Sequence, residues 1–167
     1  MKKKIIYLLI LVAFSNCEKD DICAADTPTT PQVVLEFFDN DSQLARTVTN
    51  LNVQEIGSAN ALPTFNNVSK IKLPLKATTD LTKYKLILNF GNTTNPTIVN
   101  EDNLQFDYTR NNVYVSRACG FKTLFTLALN SPTKTDKAVP DDFWIKSIVV
   151  ATPNILNENE THVKIYF

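Results

Sequence analysis

The stretch VYVSRACGFKTLFTLAL, Val113 to Leu129, decides how the rest of the chain is read. Its odd positions, Val113, Val115, Cys119, Phe121, Phe125, Leu127 and Leu129, are mostly apolar. Successive side chains of a strand point to opposite faces, so this period of two predicts a strand with one buried face. The parity continues through Gly120, whereas a two-residue hairpin at Cys119-Gly120 would set odd positions against even ones. One strand, bent or bulged at Gly120, is therefore expected. Seventeen residues at about 3.3 Å each exceed a usual sandwich width, so this strand is expected to pass from one sheet to the other at the bend. Asn111-Asn112 is the expected tight turn into it, because both residues tolerate positive φ.

The same alternation recurs upstream. Leu104, Phe106 and Tyr108 form an inward set opposed by Gln105, Asp107 and Thr109, and Tyr84, Leu86, Leu88 and Phe90 form another opposed by Lys83, Lys85 and Asn89. Ile71, Leu73 and Leu75 share a face, and Pro74, which lacks a ladder donor, argues for a sheet edge or a strand end there. Gln32 to Asp39 is apolar on both faces and predicts a central strand. Thr47 to Ile56, Trp144 to Ala151 and His162 to Phe167 supply further strands. Ala59 to Val68 reads as a loop with Leu62 and Phe65 tucked inward, and Ser131 to Asp142 as a polar loop. Glycine is scarce, so Asn is expected to carry turns, at Asn66-Asn67 and Asn157 among others. Eight or nine short strands with no helical pattern after residue 31 predict an all-β fold. The expected form is an antiparallel β-sandwich of immunoglobulin-like or transthyretin-like type, with a small barrel as the alternative.

The first residues are of a different kind. Met1 to Lys4 is basic and Ile5 to Phe14 is apolar, after which the apolar run stops, as in a signal peptide over residues 1–16. The run is too short for a bilayer span, which needs about 20 apolar residues. Phe14-Ser15-Asn16-Cys17 resembles the lipobox of bacterial lipoproteins, with Phe14 and Asn16 standing where that motif has Leu and a small residue. Cys17 is then the lipidated residue, and residues 17–31 are an anchor and short linker stiffened by Pro28 and Pro31. Residues 32–167 are expected to form a single domain. Glu18-Lys19-Asp20-Asp21 is similar to the Asp-rich signal that carries some Bacteroidota lipoproteins to the outer face of the outer membrane; a solvated linker is the alternative reading.

The runs CEKDDICAADTPTTP, VYVSRACGFKTLF, WIKSIVV and NENETHVKIYF together resemble an uncharacterised family of Bacteroidota cell-envelope lipoproteins, a domain of unknown function. The resemblance implies an outer-membrane, lipid-anchored protein, surface-exposed or facing the periplasm. It lends no catalytic residues. Without the three lysines of the leader the chain has 14 basic against 17 acidic residues, a formal charge of −3, which gives no hint of nucleic-acid binding.

With Cys17 assigned to lipid, Cys23 and Cys119 are an even pair in an exported protein, and a disulfide between them is expected, two buried free thiols being the alternative. Cys119 as a nucleophile has only His162 as an imidazole base, and such a pair also needs an orienting third group. Arg117 suits an anion, or an internal partner in Asp107 or Glu36. Tyr114 and Trp144, if exposed, would make a sugar-stacking platform; inter-sheet packing is the competing role. The acidic pairs Asp39-Asp41, Glu101-Asp102, Asp141-Asp142 and Glu158-Glu160 carry oxygen ligands of the calcium type, but none has the spacing of an EF-hand loop, and solvated turns are favoured. No cofactor or metal is expected. The expected function is a non-enzymatic structural or interaction module of the envelope, held to the membrane by lipid and meeting a protein or glycan partner; the alternative is a glycan-binding accessory lipoprotein.

Overall fold

A computed structural model describes residues 22–58 and 62–167. The expected signal peptide, Cys17 and Glu18-Lys19-Asp20-Asp21 lie outside the described residues. Ten strands occur among the described residues: β1 (Val33–Phe38), β2 (Asn52–Glu55), β3 (Lys70–Leu73), β4 (Leu81–Leu88), β5 (Asn100–Ser116), β6 (Gly120–Leu127), β7 (Thr133–Asp136), β8 (Ser147–Val150), β9 (Asn154–Ile155) and β10 (Val163–Tyr166). They form two sheets, one ordered β3-β1-β10-β8 and the other β2-β4-β5-β6-β9 with β7 added on β5. The architecture is that of a β-sandwich. β1 and β10 run parallel, Leu35 opposite Val163 and Phe37 opposite Ile165, so the first sheet is mixed.

β1 is central because both of its faces are apolar; Val33, Val34, Leu35 and Phe37 are all buried. β3 lies at the edge and stops one residue before Pro74, where a missing N–H costs no ladder bond. On β4 and β5 the even positions turn inward, Tyr84 and Leu86 on one and Leu104, Phe106 and Tyr108 on the other. Tyr84 and Phe106 meet edge to face, centroids 6.2 Å apart. Turns are carried by Asn as well as Gly: Asn50, Asn67 and Asn89 have positive φ.

The expectation of one bent strand from Val113 to Leu129 is wrong. β5 runs unbroken to Ser116, the chain turns at Arg117–Cys119, and β6 starts back at Gly120, so the stretch is the end of a β-hairpin. Asn111-Asn112 is no turn either; both residues lie inside β5. The error was one of parity. Because β5 continues through residues 111 and 112, the buried face of its proximal half is the even one set by Leu104, Phe106 and Tyr108, and Val113 and Val115 fall on the opposite face, half-buried. On the returning strand the odd positions Thr123, Phe125 and Leu127 are buried, and Tyr108 meets Phe125 edge to face at 5.2 Å. An even position of one strand thus shares the inner face with an odd position of the other. Phe121 and Leu129, expected on the buried face, are exposed.

The chain divides into two compact units, one of Thr30–Asn111 with Thr123–Phe167, the other of Asn112–Lys122 with the chain up to Thr29. The first holds every residue of the buried core.

Candidate functional site

In the smaller unit the distal hairpin is closed by a short turn. Gly120 has φ +69°, a backbone that an L side chain rarely adopts, and the Cys119 N–H donates to Ser116 Oγ at 3.0 Å. The turn presents Cys119 to Cys23, and the two form a disulfide with their Cα atoms 5.0 Å apart. The Cys23 side of the bond is folded back on itself by a Thr27 N–H donating to Ala24 O. The Cys119 sulfur is consumed in this bond, which removes the thiolate that a nucleophilic role requires.

Around the same tip the aromatic side chains face solvent. Tyr114 is 59% exposed and Phe121 67%, and their rings meet edge to face with centroids 5.4 Å apart. Arg117 lies exposed in the turn. Its two expected internal partners are engaged elsewhere: Glu36 pairs with Lys70 at 3.3 Å and accepts from Thr161 Oγ1, and Asp107 accepts from Gln105 Nε2.

Trp144 does not join this surface, which corrects the expected platform. It is 7% exposed, donates from Nε1 to Leu86 O at 3.3 Å and packs edge to face on Phe167. The exposed partner of Tyr114 is Phe121, which the parity error had turned inward.

The larger unit buries one imidazole and one carboxyl, His162 and Asp102. His162 is fully buried; its Nδ1 accepts from the Val34 N–H at 2.9 Å and its own N–H donates to Val34 O, fixing the chain just before β10 to β1. Its Nε2 has no hydrogen-bond partner among the described residues. Burial pushes its pKa below the ordinary value, against the pull of Glu160 and Glu158. Asp102 is fully buried on the inner parity of β5, with Oδ2 accepting from the Ile145 N–H at 2.8 Å and Oδ1 without a partner among the described residues. Burial pushes its pKa up to about 6; the Ile145 bond opposes this, and Asp136, directly across on β7, adds to it. The parity signal was available: Asp102 has the spacing of Leu104, Phe106 and Tyr108 and is no surface turn residue.

A shallow groove of about 460 Å³ runs along Phe65, Val68 and Ile71, with Lys72 and Glu158 at its side. Those two side chains neutralise each other at 2.8 Å, and the bond from Lys72 is the main reason that the Glu158 carboxyl titrates below its ordinary range. Asp39 is spent on its own turn, accepting from the N–H groups of Asp41 and Ser42 and from Ser42 Oγ. Among the described residues no cluster of His, Cys, Asp and Glu has the makings of a metal site, and no helix is long and apolar enough to cross a membrane.

Residues 46–167 match the model of a family of unknown function (DUF6452). No curated protein and no solved structure matches the chain. The chain belongs to this family of unknown function.

Proposed function

We propose that this protein is a lipid-anchored envelope lipoprotein of the Bacteroidota type, held at the outer membrane through Cys17, whose β-sandwich serves as a non-enzymatic structural or interaction module. The observation that carries the reading is the Cys23–Cys119 disulfide, a bond that persists in oxidising compartments outside the cytoplasm. It agrees with a leader that ends at a lipobox-like Cys17. The non-enzymatic part rests on what the candidate pair is engaged in: Cys119 is bonded and His162, the only imidazole in the chain, holds backbone. The glycan-binding alternative keeps Tyr114 and loses Trp144, which is committed to the core.

The test is metabolic labelling with a fatty-acid analogue. Label should enter the full chain and disappear in Cys17→Ala, together with membrane retention. Retention that survives without label refutes the anchor. Retention on polysaccharide that Tyr114→Ala abolishes would favour the glycan reading instead.

A further inference from the structure

We infer that the tip of the β5–β6 hairpin is a membrane-contact surface on which Tyr114 and Phe121 rest at the headgroup level of a zwitterionic bilayer, beside the lipid anchor. This rests on the lipid-anchor reading of Cys17.

Two aromatic rings, packed edge to face and more than half exposed, are the first ground. No residue of the unit that carries them belongs to the buried core, so no interior of its own covers them. Aromatic rings left at such a surface are suited to the membrane interface, where one edge meets hydrocarbon and the other meets water and headgroups. Tyr114 has the phenol for that position.

The second ground is the covalent path. Six residue steps separate Cys17 from Cys23, a reach of about 20 Å at full extension. The disulfide then brings Cys119 to within 5.0 Å of Cys23, measured between Cα atoms, and Phe121 is two residues further on. A lipid on Cys17 therefore holds the hairpin tip close to the bilayer through a short tether and a crosslink. Ile22, beside Cys23, is 82% exposed and adds apolar area to the same unit. Arg117, exposed in the turn between the two strands, has an aliphatic stem suited to lie along hydrocarbon while its charge stays at headgroup level.

Charge selects the kind of surface. Glu18, Asp20 and Asp21 against the single Lys19 give the tether a formal charge of −2, which offsets Arg117 and Lys122, so no net positive charge favours anionic lipid and a zwitterionic headgroup is the occupant.

The experiment uses the full, lipidated chain carrying Phe121→Trp, reconstituted into phosphatidylcholine vesicles with acyl chains brominated near the headgroup. The parent protein is the reference, because its one tryptophan, Trp144, is buried. Emission from the variant should shift to the blue on reconstitution and fall about twofold in brominated lipid for a ring at the interface, while the parent stays unquenched. Tyr114→Trp should behave alike. Resistance of both cysteines to alkylation before reduction checks that each variant is folded. Water-like emission at both positions, with quenching no greater than in the parent, overturns the inference while the fatty-acid label on the same protein leaves the anchor standing. Absence of label from the parent overturns both.

Discussion

Replacing Asp102 by Asn should change how stability depends on pH, with a sign and size that follow from where the carboxyl sits. Asp102 is fully buried, one oxygen holds the Ile145 N–H, and burial raises its pKa to about 6. In the unfolded chain it titrates near the ordinary value of 3.8. Between these values the folded state keeps a proton that the unfolded state has lost, so the folded state binds more protons and stability falls as pH rises. The slope is about 1.4 kcal/mol per pH unit, and the two-unit window puts the total penalty at about 3 kcal/mol as an upper figure. Asn keeps an oxygen for Ile145 and carries no charge. The difference in unfolding free energy, variant minus parent, should therefore grow by up to about 3 kcal/mol in the variant's favour between pH 3.5 and pH 7.5. Asp39 and Glu158, whose pKa values are lowered, produce the opposite slope, but they do so in both proteins and cancel in the difference. Urea unfolding of the oxidised proteins at several pH values measures it. A difference that stays constant across this range would refute the raised pKa of the buried Asp102.

His162→Asn tests the second buried group. Burial depresses its folded pKa, so the unfolded state takes the proton first as pH falls; stability is present above about 6.5 and is lost below it. An Asn oxygen replaces Nδ1 as acceptor for Val34, and urea unfolding should show the variant gaining on the parent as pH drops from 7.5 to 5.5. Phe106→Ala removes a fully buried ring that packs on Tyr84 and should cost about 3 to 5 kcal/mol in the same assay. Replacing both Cys23 and Cys119 by Ser opens a crosslink spanning 96 positions. The chain-entropy model gives a loss of about 4 to 5 kcal/mol as its upper figure. An unchanged urea midpoint on reduction would show that the bond constrains nothing.

What was legible in the sequence follows from the physics of each segment. β4 and the proximal half of β5 bury one face, so selection for burial writes the period of two directly into Tyr84–Leu86 and Leu104–Tyr108, while β1 buries both and reads as a nearly continuous apolar run over Val33–Phe38. Beyond residue 109 that pressure weakens, because the distal part of β5 buries no residue fully, and Val113 and Val115 are an apolar pattern only half-buried. The turn at Arg117–Cys119 carries no Asn-Gly or Asp-Gly pair; its one cue, Gly120 at positive φ, fits a bulge within a strand as readily as a hairpin end. β7, reading TKTD, is polar on both faces and is held by its ladder to β5, while β9 is two residues long and announces itself only through buried Ile155. Such strands are made by their neighbours. The candidate surface was half legible for the same reason: exposure of Tyr114 and burial of Trp144 depend on which side of each strand meets the core.

The placement of the disulfide follows from the same division of labour. The larger unit closes over aromatic and aliphatic side chains and so has a core of its own. The smaller unit contributes no member of the core; what orders it, besides backbone pairing, is local, such as the Ser116 bond to Cys119 and the Ala24–Thr27 turn. Bonds of that kind contribute on the order of 1 kcal/mol each, little against the entropy of fixing a chain end. A segment too thin to bury a core is where a crosslink adds most. The crosslink therefore falls between the hairpin turn and the lead segment, adding a covalent link to side-chain bonds such as the Thr123 N–H donating to Thr30 Oγ1 at 3.0 Å.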